Sequence, residues 1–147
     1  MSQQAVVTYN HPKILVFSTN NISDVGIDLA GSSHMAYPTS VQVIAIPCSS
    51  GINPQWVLRA IQTGFDGVFI AADGTDCAYI PDCTERTGKV VEQAQELLVK
   101  NGYDNRRLKM AAVCSVCSQA FVNHINSFCK TLDELASKAS QEIGEKQ

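Results

Sequence analysis

The chain has 147 residues, 45% of them hydrophobic and 17% charged, with a net charge of −3. That size and balance describe one globular domain able to bury its own core, and they exclude a disordered chain. With no basic cluster beyond Arg106-Arg107, the acidic balance also argues against a nucleic-acid partner.

The apolar segments are strand-length, short of the ~20 residues that span a bilayer. The opening MSQQAVVTYNHPK lacks the charged-then-apolar order of a signal peptide. A cytoplasmic protein with no direct membrane insertion is the expectation. Six cysteines in a reducing compartment read as thiols or metal ligands rather than structural disulfides.

In chain order, residues 1–12 read as a flexible arm ending at Pro12. KILVFS (13–18) is a first strand, apolar enough for burial on both faces. The turn-like TNNISD leads to a helix over 24–35, capped by Ser23 or Asp24, with Val25 and Leu29 four apart. SVQVIAIPCSSG (40–51) carries a second strand that ends at Pro47-Cys48. Asn53-Pro54 is a cap followed by proline at the first helical position, and Val57, Leu58, Ile61 and Phe65 form that helix's apolar face.

DGVFIAAD (66–73) is a third strand and GTDCAYIPDCTE a loop. A helix from about Thr84 to Lys100 follows, with Val90, Val91, Ala94, Leu97 and Leu98 at helical spacing and Gly102 past its end. RLKMAAVCS (107–115) is a fourth strand. The last helix carries Phe121, Ile125, Phe128, Leu132 and Leu135 on one face, and beyond Ala136 a polar tail (137–147) is expected to fray. Strands alternating with helices imply right-handed crossovers and a four-stranded parallel sheet. The expected fold is a doubly wound, flavodoxin-like three-layer sandwich over residues 13–136, with ligands gathering outside the carboxyl ends of the strands.

That rule places Cys48 at the end of strand two, Cys77 and Cys83 in the loop after strand three, and Cys114 and Cys117 at the end of strand four. Cys129 lies on the apolar stripe of the last helix and reads as packing. Thiolates repel unless a cation or oxidation joins them. Five thiols on one rim therefore point to zinc or an iron–sulfur cluster. A single CxxC ranks zinc second, and its place after the fourth strand is not that of a thioredoxin-like dithiol. STNNIS (18–23) offers hydroxyls where a flavin phosphate could sit, although an ordinary strand-to-helix turn explains it more simply. Asp73, Asp76 and Asp82 read as turn residues rather than a magnesium site, the three histidines are assigned no catalytic role, and Trp56 is either a docking anchor or core.

From about Ile14 to Leu135 the sequence resembles the delta subunit family of methyl-viologen-reducing (F420-non-reducing) hydrogenase. The resemblance is carried by VFSTNNISDVGIDLAGSSHMAYPTSVQVIAIPCSSG, with Gly26, Asp28, Ala30-Gly31, Tyr37-Pro38 and Pro47-Cys48-Ser49, and by GFDGVFIAADGTDCAY, with Asp66-Gly67, Asp76-Cys77 and Tyr79. It implies a small iron–sulfur subunit holding a 2Fe–2S cluster. Such a subunit passes electrons between a hydrogenase or other dehydrogenase module and the flavin subunit of a heterodisulfide-reductase-like complex. The chain departs from the family pattern. Thr19 and Ile22 stand where the resemblance implies a first cysteine pair, Ala72 replaces a third-loop cysteine, and Asp73 replaces a histidine. Cys48 and Cys77 remain, too few for the usual four-thiolate ligation.

Two readings stay open. In one, the site is relocated: Cys48 and Cys77 are retained, Cys114 and Cys117 replace the lost pair from the opposite side, and Cys83 lies nearby. In the other, the cluster is lost and the chain is a redox-silent adaptor in the same kind of complex.

Overall fold

Four short apolar runs build one sheet: β1 (Ile14–Thr19), β2 (Val41–Ile46), β3 (Gly67–Ala72) and β4 (Leu108–Ala112). Among the described residues three continuous helices accompany them, α1 (Pro54–Thr63), α2 (Cys83–Lys100) and α3 (Ser118–Glu145). The computed structural model describes residues 12–19, 27, 28, 30, 32, 41–72, 82–113 and 118–145, with the side chains of Cys83 and of residues after 138 left aside. All strand pairs are parallel and the order is β2-β1-β3-β4. This is the expected doubly wound α/β sheet.

Successive side chains alternate between the faces of a strand, and the two apolar clusters follow that alternation. Leu15, Phe17, Val68, Ile70 and Leu108 meet α1 and α2 through Val57, Leu58, Ile61, Ala94 and Leu98. Ile14, Val16, Phe69 and Ala71 meet Phe121, Ile125, Phe128, Leu132 and Leu135 of α3 on the other face. The two helical faces expected for α1 and α3 are thus the buried ones, with Phe65 half-buried beside the first. Of the helix expected over 24–35, the described residues Ile27, Asp28, Ala30 and Ser32 are helical, and Ile27 and Ala30 join the α3-side core. Val25 and Leu29 lie outside the described residues.

Local chemistry explains the boundaries. Asn53 Oδ1 accepts from the Gln55 N–H at 2.9 Å with Pro54 at the first turn of α1. At the far end of α2, Gly102 adopts φ 84°, letting the Tyr103 N–H reach the Leu98 carbonyl at 2.9 Å. The family residues Asp66-Gly67 are structural. Asp66 Oδ2 accepts from the Lys13 N–H at 2.8 Å, and the Lys13 carbonyl accepts from the Asp66 N–H at 2.8 Å. A Cβ on Gly67 would lie 2.7 Å from Leu132 Cδ1 and 2.8 Å from Phe128 Cζ, so glycine is what lets α3 seat on β3.

Two findings differ from the sequence pattern. Helix α3 continues past Ala136 to Glu145, because adding a residue to an existing helix is far easier than nucleating one. And β2, with a sequence as apolar as β1, is an edge strand with Gln42, Val43, Ile44 and Ala45 exposed.

Candidate functional site

The carboxyl rim is best defined where β2 ends. Pro47 has no N–H to continue a ladder, and Cys48 follows in extended geometry, φ −152° and ψ 130°, as the cap of a short 3-10 turn, Ser49–Gly51. The Gly51 N–H donates to the Cys48 carbonyl at 3.1 Å and closes the turn. Within it, Ser50 Oγ lies 2.9 Å from Cys48 Sγ. Ser49 is fully buried, and its Oγ bonds Thr87 Oγ1 of α2 at 2.8 Å.

That buried hydroxyl pair fixes the start of α2 against the Cys48 turn. Thr87 and Cys83 are four residues apart on α2, so they share one helical face. Cys83 stands at the start of α2, the helix end whose N–H groups favour negative charge. Arg86 adds a cation. It bonds Asp82 at 2.9 Å, and that bond is the main reason its pKa is raised, with Cys48 contributing across the rim. The same bond is the main reason the Asp82 carboxyl sits below its ordinary range. Thr84 Oγ1, in the first turn of α2, is buried with no hydrogen-bond partner among the described residues. Such a hydroxyl costs about 1–3 kcal/mol unless something accepts from it. Beside that turn, the Cys48 thiol and the Arg86 charge are the kinds of group an iron–sulfur centre uses.

The other candidates are placed differently. Cys77, Cys114 and Cys117 lie outside the described residues, as do Asp73, Asp76 and most of STNNIS. Because β2 and β4 are the opposite edges of the sheet, the strand ends leading to Cys48 and to Cys114 are three spacings apart, about 14 Å. Among the described residues no three His, Cys, Asp or Glu side chains converge as metal ligands. Cys129 is 6% exposed in the α3-side core, and burial is the main reason its thiol pKa is pushed up. Trp56 is 49% exposed and lies 6.4 Å from the Phe17 ring, on the surface rather than in the core. Ser50, Thr84 and Thr87 were not singled out from the sequence; the hydroxyl-rich PCSSG run was the available signal for the first.

A parallel α/β domain with a cysteine turn at its carboxyl rim is a scaffold suited to holding a redox group at one end of the sheet. The profile of the methyl-viologen-reducing hydrogenase delta subunit family (FlpD) matches residues 14–136. The chain belongs to that family. It is 28% identical over 130 residues to the vhu iron-sulfur subunit of the F420-non-reducing hydrogenase of Methanocaldococcus jannaschii, covering 84% of this chain and 92% of that one. It is 34% identical over 131 residues to a chain of the ferredoxin/F(420)H(2)-dependent CoB-CoM heterodisulfide reductase of Methanosarcina acetivorans, covering 88% of this chain but only 16% of that relative. The chain thus corresponds to one part of a much longer relative. No described helix is long and apolar enough to cross a membrane.

Proposed function

We propose that this chain is a small electron-transfer subunit of a larger cytoplasmic oxidoreductase. It would link a hydrogenase or dehydrogenase module to a heterodisulfide-reductase-like flavin subunit. Family membership supports the class. The match to part of a longer heterodisulfide reductase chain supports the second partner, since a domain built into one chain can dock as a separate subunit onto its counterpart.

The observation that carries the reading is the Ser49–Thr87 bond, which holds the Cys48 turn against the start of α2. Cys48 would ligate from the β2 side and Cys77 from the loop after β3, with Cys83 as the alternative to one of the four thiolates. Cys114 and Cys117 would close the site from the β4 side by loops that cross the ~14 Å between the outer strands. The group held there, a 2Fe–2S cluster, would supply one-electron chemistry. The chain's own task is to keep the thiols deprotonated, which the helix end and Arg86 favour, and to exclude water beneath the rim with Ser49 and Thr87.

Protein purified anaerobically should contain iron and acid-labile sulfide in near-equal amounts. Cys48→Ser should abolish both, and so should the Cys114→Ser/Cys117→Ser double variant. Iron that survives the double variant but is lost in Cys83→Ser would confine the site to the β2 side. A second reading, the redox-silent adaptor, is favoured by Thr19. This residue is fully buried at the end of β1, where the resemblance places a family cysteine. A colourless, iron-free protein that still assembles with its partners would decide for the adaptor.

A further inference from the structure

We propose that Ser50 sets the reduction potential of the bound cluster by donating its hydroxyl proton in a hydrogen bond to the Cys48 sulfur. The proposal rests on the electron-transfer reading and adds to it a residue that tunes the site without ligating it. Ser50 Oγ lies 2.9 Å from Cys48 Sγ. Either atom could donate in a protonated pair, but a ligating cysteine has lost its proton. The hydroxyl must then be the donor, and a bond to a charged acceptor is roughly twice as strong as a neutral one.

The donor is held in place by the fold. Ser50 sits in a turn closed by the Gly51 N–H on the Cys48 carbonyl at 3.1 Å, and the next side chain, Ser49, is fastened to Thr87 of α2 at 2.8 Å. The hydroxyl therefore has little freedom to leave the sulfur when the redox state changes. Reduction adds one electron to the cluster and raises the negative charge on its sulfurs; no bond breaks and no proton is transferred. A fixed donor stabilises the more negative form more than the oxidised one, so it raises the potential.

The test is an anaerobic redox titration of the purified holoprotein against viologen dyes, following the reduced-cluster EPR signal. Ser50→Ala should shift the one-electron equilibrium about tenfold toward the oxidised form, a potential lower by ~59 mV. Ser50→Thr keeps the hydroxyl and should restore the wild-type value. A merely structural role for Ser50 would not produce that pattern. Iron-loaded Ser50→Ala whose equilibrium stays within about twofold of wild type overturns the role of Ser50 and leaves the cluster reading intact. Iron lost from both variants reassigns Ser50 to folding of the turn, and iron lost from Ser50→Ala alone reassigns the hydroxyl to cluster retention; either overturns tuning. Wild-type protein that binds no iron removes the cluster reading, and this inference with it.

Discussion

Cys48 and Cys129 sit in opposite surroundings on the same small domain. Cys48 is half-buried at the end of an edge strand, with a serine hydroxyl 2.9 Å from its sulfur and the Arg86 charge of α2 acting on it. Cys129 is packed into α3 among Phe128, Ile125 and Leu132, on the face that covers β3. Burial pushes the Cys129 thiol up, with the Asp133 charge adding to the effect, so it stays protonated and inert. The rim is built from hydroxyls and charge and is suited to hold sulfur as an anion. The seam is built from rings and methyls and treats sulfur as volume.

The largest expected effect tests the seam. Phe128 is 1% exposed, contacts the Gly67 site and lies 6.2 Å from the Phe69 ring. Phe128→Ala should cost ~3–5 kcal/mol in urea unfolding. A loss below ~1 kcal/mol would mean that α3 is not the lid of that face. The next effect tests the rim. Ser49→Ala removes the bond to Thr87 and should cost about 1–2 kcal/mol. A double-mutant cycle with Thr87→Val should return a coupling of about 1 kcal/mol, and zero coupling would detach the Cys48 turn from α2.

The seam was legible in the sequence, and the rim only partly so. Phe121, Ile125, Phe128, Leu132 and Leu135 recur at helical spacing, and all are buried, because amphipathic period is a local property of the chain. Asn53-Pro54 was equally legible, since a cap and its proline act within one turn. The rim position of Cys48 followed from the parallel α/β pattern and the rule about strand carboxyl ends. What local pattern does not carry is strand order. With β2 and β4 on opposite edges, the strand ends that lead to Cys48 and to Cys114 are set farther apart than a guess from neighbouring strands allows. Nor could the Ser49–Thr87 bond be read, because it joins small hydroxyls from separate elements. The exposure of β2 was hidden for the same reason: VQVIAI has the apolar content of a central strand, and only the order of the sheet makes it an edge.

A crossed pair of substitutions sharpens the contrast between the two thiols. Cys129→Ala should cost about 1 kcal/mol of stability through lost packing and leave iron content unchanged. Cys48→Ala should change the stability of the metal-free protein by no more than about 0.5 kcal/mol while removing the iron. Equal effects on iron would mean that Cys129 also serves the site. Equal effects on stability would mean that Cys48 is core rather than rim.

The smallest effect is a pH dependence within the seam. His124 is half-buried on α3 with its ring 6.1 Å from Phe69, and its pKa is lowered from 6.5, first by burial and then by the charge of Lys109. The unfolded chain therefore binds a proton at a higher pH than the folded one. Stability from this residue is complete above about pH 6.5 and declines as pH falls below that value, levelling off once the folded-state pKa is passed. Asp104, held below its ordinary 3.8 chiefly by its hydrogen bond to Arg106, loses its contribution only in the more acidic range, so the two windows separate. His124→Gln should flatten the fall in melting temperature between about pH 7 and pH 5 without altering the more acidic limb. An unchanged slope in that window would show that the ring is as well solvated as in the unfolded chain, and that the apolar seam stops short of His124.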